Sequence, residues 1–181
     1  MKTKNLVILS YTFLVSCFIF LAFKPIGEEY KYLINLPSKS KFDSKSPKSL
    51  VMFELIEKYS TEYGIPKHVA YNIAYKETRY QGPFHWQYNP HQTSYAGAIG
   101  AMQIMPGTSK LINKVTVPNE KLMNDLEFNV KTSMKLLNKL YKKYKDWEIV
   151  CGCYNTGKPI VNDYARFCAS NLNYKSNWSK F

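Results

Sequence analysis

The apolar positions of the chain recur with the period of an α-helix, and no segment shows the strict alternation expected of a β-strand. The first helix is predicted to begin at Ser46-Pro47 and to end at Gly64, a residue type that often terminates helices. Its apolar stripe is formed by Met52, Ile56, Tyr59 and Tyr63. The pattern therefore predicts a mainly α-helical domain.

The longest predicted helix lies in the second half of the chain. Asn124 is expected to cap its N-terminus, with Glu127 at the spacing of a capping box. Its apolar stripe, which we interpret as core packing, consists of Leu126, Val130, Met134, Leu137, Tyr141 and Tyr144. Two shorter helices are predicted after it, one from Asp146 to about Tyr154 and one from Pro159 through Phe167.

The helix predicted to start at Pro66 carries one carboxylate among its apolar positions. The apolar arc contains Val69, Ala70, Ile73 and Ala74, and the polar face contains His68, Asn72, Lys76 and Arg79. Glu77 falls within the apolar arc, near the negative end of the helix dipole. Burial and the dipole both disfavour ionisation, so its pKa should be raised, as a general acid requires. The alternatives are a Glu paired with Lys or Arg, or one turned outward by a frayed last turn.

Two segments without helical periodicity follow this helix. Residues 81–96 are predicted to form a loop whose aromatic side chains either stack on sugar rings or pack the loop down. The next segment, 97–108, contains Gly97 and Gly100, which permit a tight turn or the close approach of a ligand, and an amide side chain at Gln103. A short helix is predicted to begin at Pro106.

Composition and charge narrow the classes of partner. The 181 residues are 45% hydrophobic and 15% aromatic, which is sufficient for one packed domain with an appendage. The net charge of +12 favours an anionic partner, such as a cell-wall polymer, a membrane surface or nucleic acid. Only Arg79 and Arg166 are arginines. Because base and phosphate recognition depends strongly on arginine, no nucleic-acid partner is expected.

The N-terminus is typical of an export signal. Lys2 and Lys4 precede an apolar run that ends at Phe23, so residues 1–23 are interpreted as a signal peptide or a membrane anchor. Cys17 lies in a lipoprotein-like sequence, and either its lipidation or an uncleaved anchor would hold the protein at the membrane. Residues 24–46 are predicted to be a flexible tether, and 47–181 the globular domain. In either case we expect an exported protein of the cell envelope.

Three further cysteines lie near the C-terminus. Cys151 and Cys153 would point about 200° apart on a helix, which makes them a poor metal pair. Each is interpreted first as a small core residue. A bridge from one of them to Cys168 in an oxidising compartment stays open as an alternative. No metal site and no cofactor are predicted.

Three motifs in a fixed order resemble those of the soluble lytic transglycosylase family, which shares the goose-type lysozyme fold. The first reads Lys-Glu-Thr-Arg-Tyr at 76–80, the second runs from Gly97 to Thr108, and the third reads Cys-Tyr-Asn-Thr-Gly at 153–157. The second motif is long and specific, and the similarity covers roughly residues 50–170. The resemblance implies a compact lysozyme-like helical domain.

The resemblance also implies roles for individual residues. Glu77 would be the single catalytic acid and base, and the substrate-binding residues would be Thr78, Met102, Gln103, Tyr154 and Asn155. Thr78 replaces the family's usual Ser but keeps the hydroxyl. Ala101 and Cys153 replace Leu and Ala, and neither change removes a catalytic group.

The reaction implied by the resemblance is cleavage of the bond between N-acetylmuramic acid and N-acetylglucosamine in peptidoglycan, with formation of a 1,6-anhydro ring. No Asp or Glu occurs between Glu77 and Glu120, which fits a mechanism that uses one carboxylate rather than two. Two alternatives are a hydrolytic muramidase and a non-catalytic wall-binding or secretion-scaffold protein. The expected partner is peptidoglycan, and the protein is expected to be a monomer.

Overall fold

The computed structural model describes residues 45–171, and this part of the chain forms seven α-helices joined by loops. The helices are α1 (Lys48–Tyr63), α2 (Lys67–Thr78), α3 (Pro106–Asn113), α4 (Asn119–Asn124), α5 (Leu126–Tyr144), α6 (Trp147–Thr156) and α7 (Asp163–Ala169). The mainly α-helical prediction is therefore confirmed. The predicted signal or anchor, Cys17 and nearly all of the tether lie outside the described residues. Within the described part, no helix is both long and apolar enough to span a bilayer.

The core lies between α5 and the helices that pack around it. α1 packs on α2 and α5, α6 packs on α5 and α7, and α2 also contacts α7. The fully buried side chains include Met52, Leu55, Ile56, Ile73, Val130, Met134, Leu137 and Val150. The stripes predicted for α1 and α5 supply most of these residues. Tyr141 and Tyr144, at the end of the α5 stripe, are only half-buried.

The predicted ends of two helices are wrong by a few residues. The N-cap of α5 is Asp125, whose side chain accepts a hydrogen bond from the backbone N–H of Phe128 at 2.9 Å, whereas Asn124 ends α4. Glu127 does not close a capping box, because its carboxylate accepts hydrogen bonds from Lys58 and Tyr59 of α1. Tertiary contacts thus override the local capping pattern.

The last helix begins at Asp163 rather than at Pro159. Asn162 caps it, accepting a hydrogen bond from the backbone N–H of Ala165 at 2.9 Å. The residues before this cap run directly over α6 at Gly152, where a Cβ would lie 1.9 Å from the carbonyl oxygen of Ile160. The absence of a side chain at Gly152 therefore fixes the path by which the chain enters α7.

Asn72 was placed on the polar face of α2, and the structure corrects this. The side chain is buried, and its Nδ2 donates hydrogen bonds to the carbonyl oxygens of Phe167, Cys168 and Ser170, at 3.2, 3.2 and 2.8 Å. These carbonyls belong to the C-terminal end of α7, where helix acceptors lack intrahelical partners. Asn72 thereby holds the end of α7 against α2, next to the helix turn that carries Glu77.

Candidate active site

Glu77 lies in the last turn of α2 and is half-buried. The Tyr164 hydroxyl of α7 donates a hydrogen bond to its Oε1. Burial raises the pKa of the Glu77 carboxyl, and the hydrogen bond from Tyr164 opposes this to a smaller extent. The predicted direction of the pKa shift is confirmed, and no Lys or Arg within residues 45–171 pairs with this carboxylate.

Tyr164 is the residue that sequence reasoning missed, because it lies within the last predicted helix and belongs to none of the three motifs. Burial first, and then the negative charge of Glu77, raise the pKa of its phenol well above the ordinary tyrosine value. The phenol is therefore a neutral donor at any physiological pH. It contacts Glu77 through a pairing of α2 with α7 that no local pattern reveals.

Thr78 follows Glu77 and connects α2 to the glycine-containing loop. Its hydroxyl donates to the carbonyl oxygen of Ala101 at 2.8 Å and shares a hydrogen bond of 2.9 Å with the Tyr88 hydroxyl. The side chain is buried. The structure thus places the Thr78 hydroxyl inside the protein, where it is hydrogen-bonded, and its contact with a sugar stays a prediction.

The glycine-containing loop, residues 97–105, is fixed to α5 by one amide side chain. Asn129 accepts a hydrogen bond from the Met102 N–H at 2.8 Å and donates to the carbonyl oxygens of Ile99 and Leu122 at 2.9 and 3.0 Å. Gly100 has a φ of 81°, and a Cβ there would lie 2.4 Å from the Asn129 amide nitrogen. Only glycine fits this close approach.

Met102 and Tyr154 meet behind this loop. The Tyr154 hydroxyl donates to the Met102 carbonyl oxygen at 2.6 Å and shares a 2.9 Å hydrogen bond with the Ser133 hydroxyl. Burial, followed by the negative charge of Glu77, raises the pKa of Tyr154 well above its ordinary value. The side chains of Tyr154 and Glu77 therefore interact electrostatically. The Met102 side chain is fully buried, and its predicted place among the substrate contacts stays a prediction. It supports the loop from inside.

Among the predicted binding residues, Asn155 is exposed, whereas Gln103, like Tyr154, is half-buried. Gln103 has a φ of 48°, and its Nε2 donates to the carbonyl oxygens of Gly100 and Gln92 at 2.8 and 3.1 Å. Its Oε1 has no hydrogen-bond partner among residues 45–171. Asn155 is exposed at the end of α6, and its Oδ1 accepts from Asn162 at 3.1 Å.

The aromatic loop 81–96 divides between the two predicted roles. Tyr88 is buried and packs edge-on against Tyr80, with ring centroids 4.9 Å apart. Phe84, Trp86 and Tyr95 are exposed. Tyr88 therefore packs the loop against the domain, whereas the exposed rings of Phe84, Trp86 and Tyr95 are accessible to a ligand.

The fold and this site define a lysozyme-like helical domain built around one raised-pKa carboxyl at a helix end. The family model of the transglycosylase SLT domain matches residues 54–175, and the chain belongs to this family. This confirms the resemblance on which the motifs were assigned. Among curated proteins no relative matches the chain.

Two solved structures share the fold. One is a complex of the 70 kDa soluble lytic transglycosylase with bulgecin A, at a TM-score of 0.53 and 22% identity over 70% of this chain and 24% of that chain. The other is an inactive mutant of the lytic transglycosylase Slt from Pseudomonas aeruginosa, at a TM-score of 0.50 and 18% identity over 70% of this chain and 23% of that one. The present chain thus spans about a quarter of the length of these proteins.

Proposed function

We propose that the protein is a peptidoglycan lytic transglycosylase that cleaves the β-1,4 bond between N-acetylmuramic acid and N-acetylglucosamine. The observation that carries the proposal is the half-buried Glu77 carboxyl, whose pKa is raised by burial and whose Oε1 is held by Tyr164. Membership of the transglycosylase SLT domain family supports this substrate class.

In the first step, protonated Glu77 donates its proton to the glycosidic oxygen as the bond to the anomeric carbon breaks. Because the Tyr164 hydroxyl already occupies Oε1, we assign the reacting proton to Oε2. A raised pKa keeps a useful fraction of this carboxyl protonated near neutral pH. Tyr164 then stabilises the carboxylate that results, without giving up its own proton.

In the second step, the Glu77 carboxylate takes the proton of the muramoyl 6-hydroxyl, and that oxygen attacks the anomeric carbon. The product is a 1,6-anhydro ring, Glu77 is protonated again, and no water is consumed. A two-carboxylate mechanism needs a second acid within about 5–10 Å. The loops between Glu77 and Glu120 contain no acidic residue, and the pKa of Glu77 responds to burial and Tyr164 rather than to another carboxylate of the described part.

We assign to the sugar chain the amides of Gln103, which is half-buried, and of Asn155, which is exposed. Tyr154 is also half-buried, and its hydroxyl, which donates to the Met102 carbonyl oxygen, orients the loop. The net charge of +12 suits a polymer that carries peptide carboxylates. We propose an exported, envelope-located monomer without a metal or cofactor, held at the membrane by an uncleaved N-terminal segment or by lipidated Cys17.

Product analysis in heavy-oxygen water tests this function. Purified sacculi are digested in H₂¹⁸O, and the released muropeptides are examined by mass spectrometry. We expect unlabelled muropeptides that are lighter by one water than the reducing form. Labelled reducing ends would instead identify a hydrolytic muramidase that uses the same Glu77. Retention on sacculi with no released fragments would identify a wall-binding or scaffold protein.

A further inference from the structure

Four lysines of α5 lie along one side of the helix, in a row that the proposed reaction does not use. This row, the lysine face, consists of Lys131, Lys135, Lys139 and Lys142. Because an α-helix turns by about 100° and rises by about 1.5 Å per residue, the four positions fall within an arc of about 80° and span about 16 Å along the axis. None of the four takes part in an ion pair among residues 45–171.

No acidic residue of α5 neutralises the lysine face. The chain has no Asp or Glu between Glu127 and Asp146. The carboxylate of Glu127 accepts hydrogen bonds from Lys58 and Tyr59 of α1. Lysines four residues apart on a helix repel one another, and an anionic surface that approaches them relieves this repulsion. The charge of the lysine face thus complements a negatively charged partner.

The lysine face points away from the side of α5 that supports the candidate active site. Ser133 marks that side, because its hydroxyl shares a hydrogen bond of 2.9 Å with the Tyr154 hydroxyl. Lys131, Lys135 and Lys142 lie about 160–180° around the helix from Ser133. A partner bound to the lysine face would therefore lie across α5 from Tyr154 and would leave the site free for the glycan.

Two exposed aliphatic side chains lie next to the lysine face. The Nζ of Lys135 donates a hydrogen bond to Oδ1 of Asn113, at the C-terminal end of α3, at 3.3 Å. Leu111 and Val115, two residues to either side of Asn113, are 65% and 52% exposed. Apolar side chains bordered by lysines are typical of surfaces that lie in the headgroup region of a membrane. The carboxylates of a wall polymer would match the charge, but its sugars and peptides would not take up these aliphatic groups.

We propose that the lysine face, together with Leu111 and Val115, docks the domain on a membrane that contains anionic phospholipids. The proposal rests on the envelope location given under the proposed function. The lysine ammonium groups contact lipid phosphates, while the two aliphatic side chains enter the boundary between headgroups and acyl chains. Because Tyr154 lies across α5 from the lysine face, the docked domain turns its site away from the membrane and toward the wall.

Acetylation of lysines on vesicles tests this surface without reference to activity. The full-length protein is reconstituted into vesicles of phosphatidylcholine, with or without one third phosphatidylglycerol. It is then treated with a membrane-impermeant acetylating reagent, digested with chymotrypsin and examined by mass spectrometry. The predicted N-terminal anchor would bring the domain to both surfaces alike, so the comparison isolates the headgroup charge. Lys158, which is exposed just after α6, is the internal reference.

We expect the acetylation of Lys139 and Lys142, relative to that of Lys158, to fall about fivefold on vesicles that contain phosphatidylglycerol. It should not fall on phosphatidylcholine alone. The protection should disappear in about 1 M NaCl, where charges are screened beyond about 3 Å. Equal acetylation on the two kinds of vesicle would overturn the proposal. So would protection by isolated sacculi without protection by anionic vesicles, since that result would assign the lysine face to carboxylates of the wall.

Two double variants with the same loss of charge assign the protection to the lysine face. Lys139→Gln/Lys142→Gln removes two exposed lysines of this face, and Lys45→Gln/Lys48→Gln removes two exposed lysines at the start of the domain. Protection of Lys135 should be lost in the first variant and kept in the second. Equal protection in the two variants would contradict the proposal. If a variant fails to fold, the comparison of vesicles with the wild type decides.

Muropeptide release from sacculi, measured on the same preparations without vesicles, separates this proposal from the proposed function. Lys139→Gln/Lys142→Gln should release muropeptides at the wild-type rate, because neither lysine belongs to the site. A protein that shows the lipid-dependent protection but releases nothing would refute the proposed function alone. An active protein without that protection would refute the docking surface alone.

Discussion

Replacing Tyr164 with Phe removes one hydroxyl from the site and keeps the aromatic ring. In the structure that hydroxyl donates to Oε1 of Glu77, and both side chains are half-buried. A hydrogen bond to a charged group contributes about 1.5–3 kcal/mol. If the hydrogen bond stabilises mainly the carboxylate that Glu77 becomes during the reaction, its loss in Tyr164→Phe should lower kcat by about 10- to 150-fold.

The pH dependence of the activity tests the same hydrogen bond independently of the rate. Burial raises the pKa of Glu77, and the hydrogen bond from Tyr164 lowers it by stabilising the carboxylate. In Tyr164→Phe no hydrogen bond opposes the effect of burial, so the pKa of Glu77 rises further. Activity that needs protonated Glu77 is lost as pH rises through this pKa, and the high-pH limb of the rate profile should therefore move to higher pH in the variant.

The assay is release of soluble muropeptides from purified sacculi over a range of pH. Tyr141→Phe is the matched control, because Tyr141 is a half-buried tyrosine of α5 whose ring stacks on Trp147 and whose hydroxyl makes no hydrogen bond within residues 45–171. Its rate and pH profile should equal those of the wild type. A Tyr164→Phe enzyme with unchanged rate, or with a high-pH limb moved to lower pH, would refute the reasoning.

Three further predictions concern the support of the site. Gly152→Ala should lower the free energy of unfolding, measured in urea, by about 1–3 kcal/mol, because the added Cβ would lie 1.9 Å from a backbone oxygen. Gly107→Ala is the control: its Cβ would have no neighbour within 4 Å, so its stability should stay within about 0.5 kcal/mol of the wild-type value. Thr78→Val should lower the free energy of unfolding by about 1–3 kcal/mol, because it leaves the buried carbonyl of Ala101 without its donor. Thr78→Ser keeps the hydroxyl and should retain most of that stability; equal stability of the Val and Ser variants would contradict this. Glu77→Gln should stabilise the fold by about 0.5–2 kcal/mol at neutral pH. A carboxyl with a raised pKa destabilises the folded state as pH rises through that pKa, so the gain should vanish in acid, below the ordinary Glu pKa.

The sequence was sufficient to predict six of the seven helices of the described part, although not the starts of α5 and α7 and not α4, and to single out Glu77 as a carboxyl on an apolar arc. Apolar spacing is a local property, so the buried stripes of α1 and α5 follow directly from it. Gly64 adopts a φ of 66° at the end of α1, as its position after the stripe predicted. The raised pKa of Glu77 also followed from its place on the apolar arc of α2.

What the sequence could not predict depends on pairings between distant elements. Asn72 has a polar side chain on a helix face that meets the end of α7, and nothing local indicates that three carbonyls lie there. Tyr164 reaches Glu77 through that same pairing. Thr78 and Met102 were assigned to the sugar by resemblance, but their burial depends on how the glycine-containing loop packs against α5.

The measurement that tests the central claim most directly compares wild type with Glu77→Gln in the release of muropeptides from sacculi. The variant keeps the shape of the side chain and an oxygen acceptor for Tyr164, but it can neither give nor take the reacting proton. We predict that release falls by about 10³-fold while thermal unfolding shows a fold at least as stable as that of the wild type. A folded Glu77→Gln protein that retains release within about tenfold of the wild-type rate, well above what loss of acid–base catalysis allows, would contradict the account.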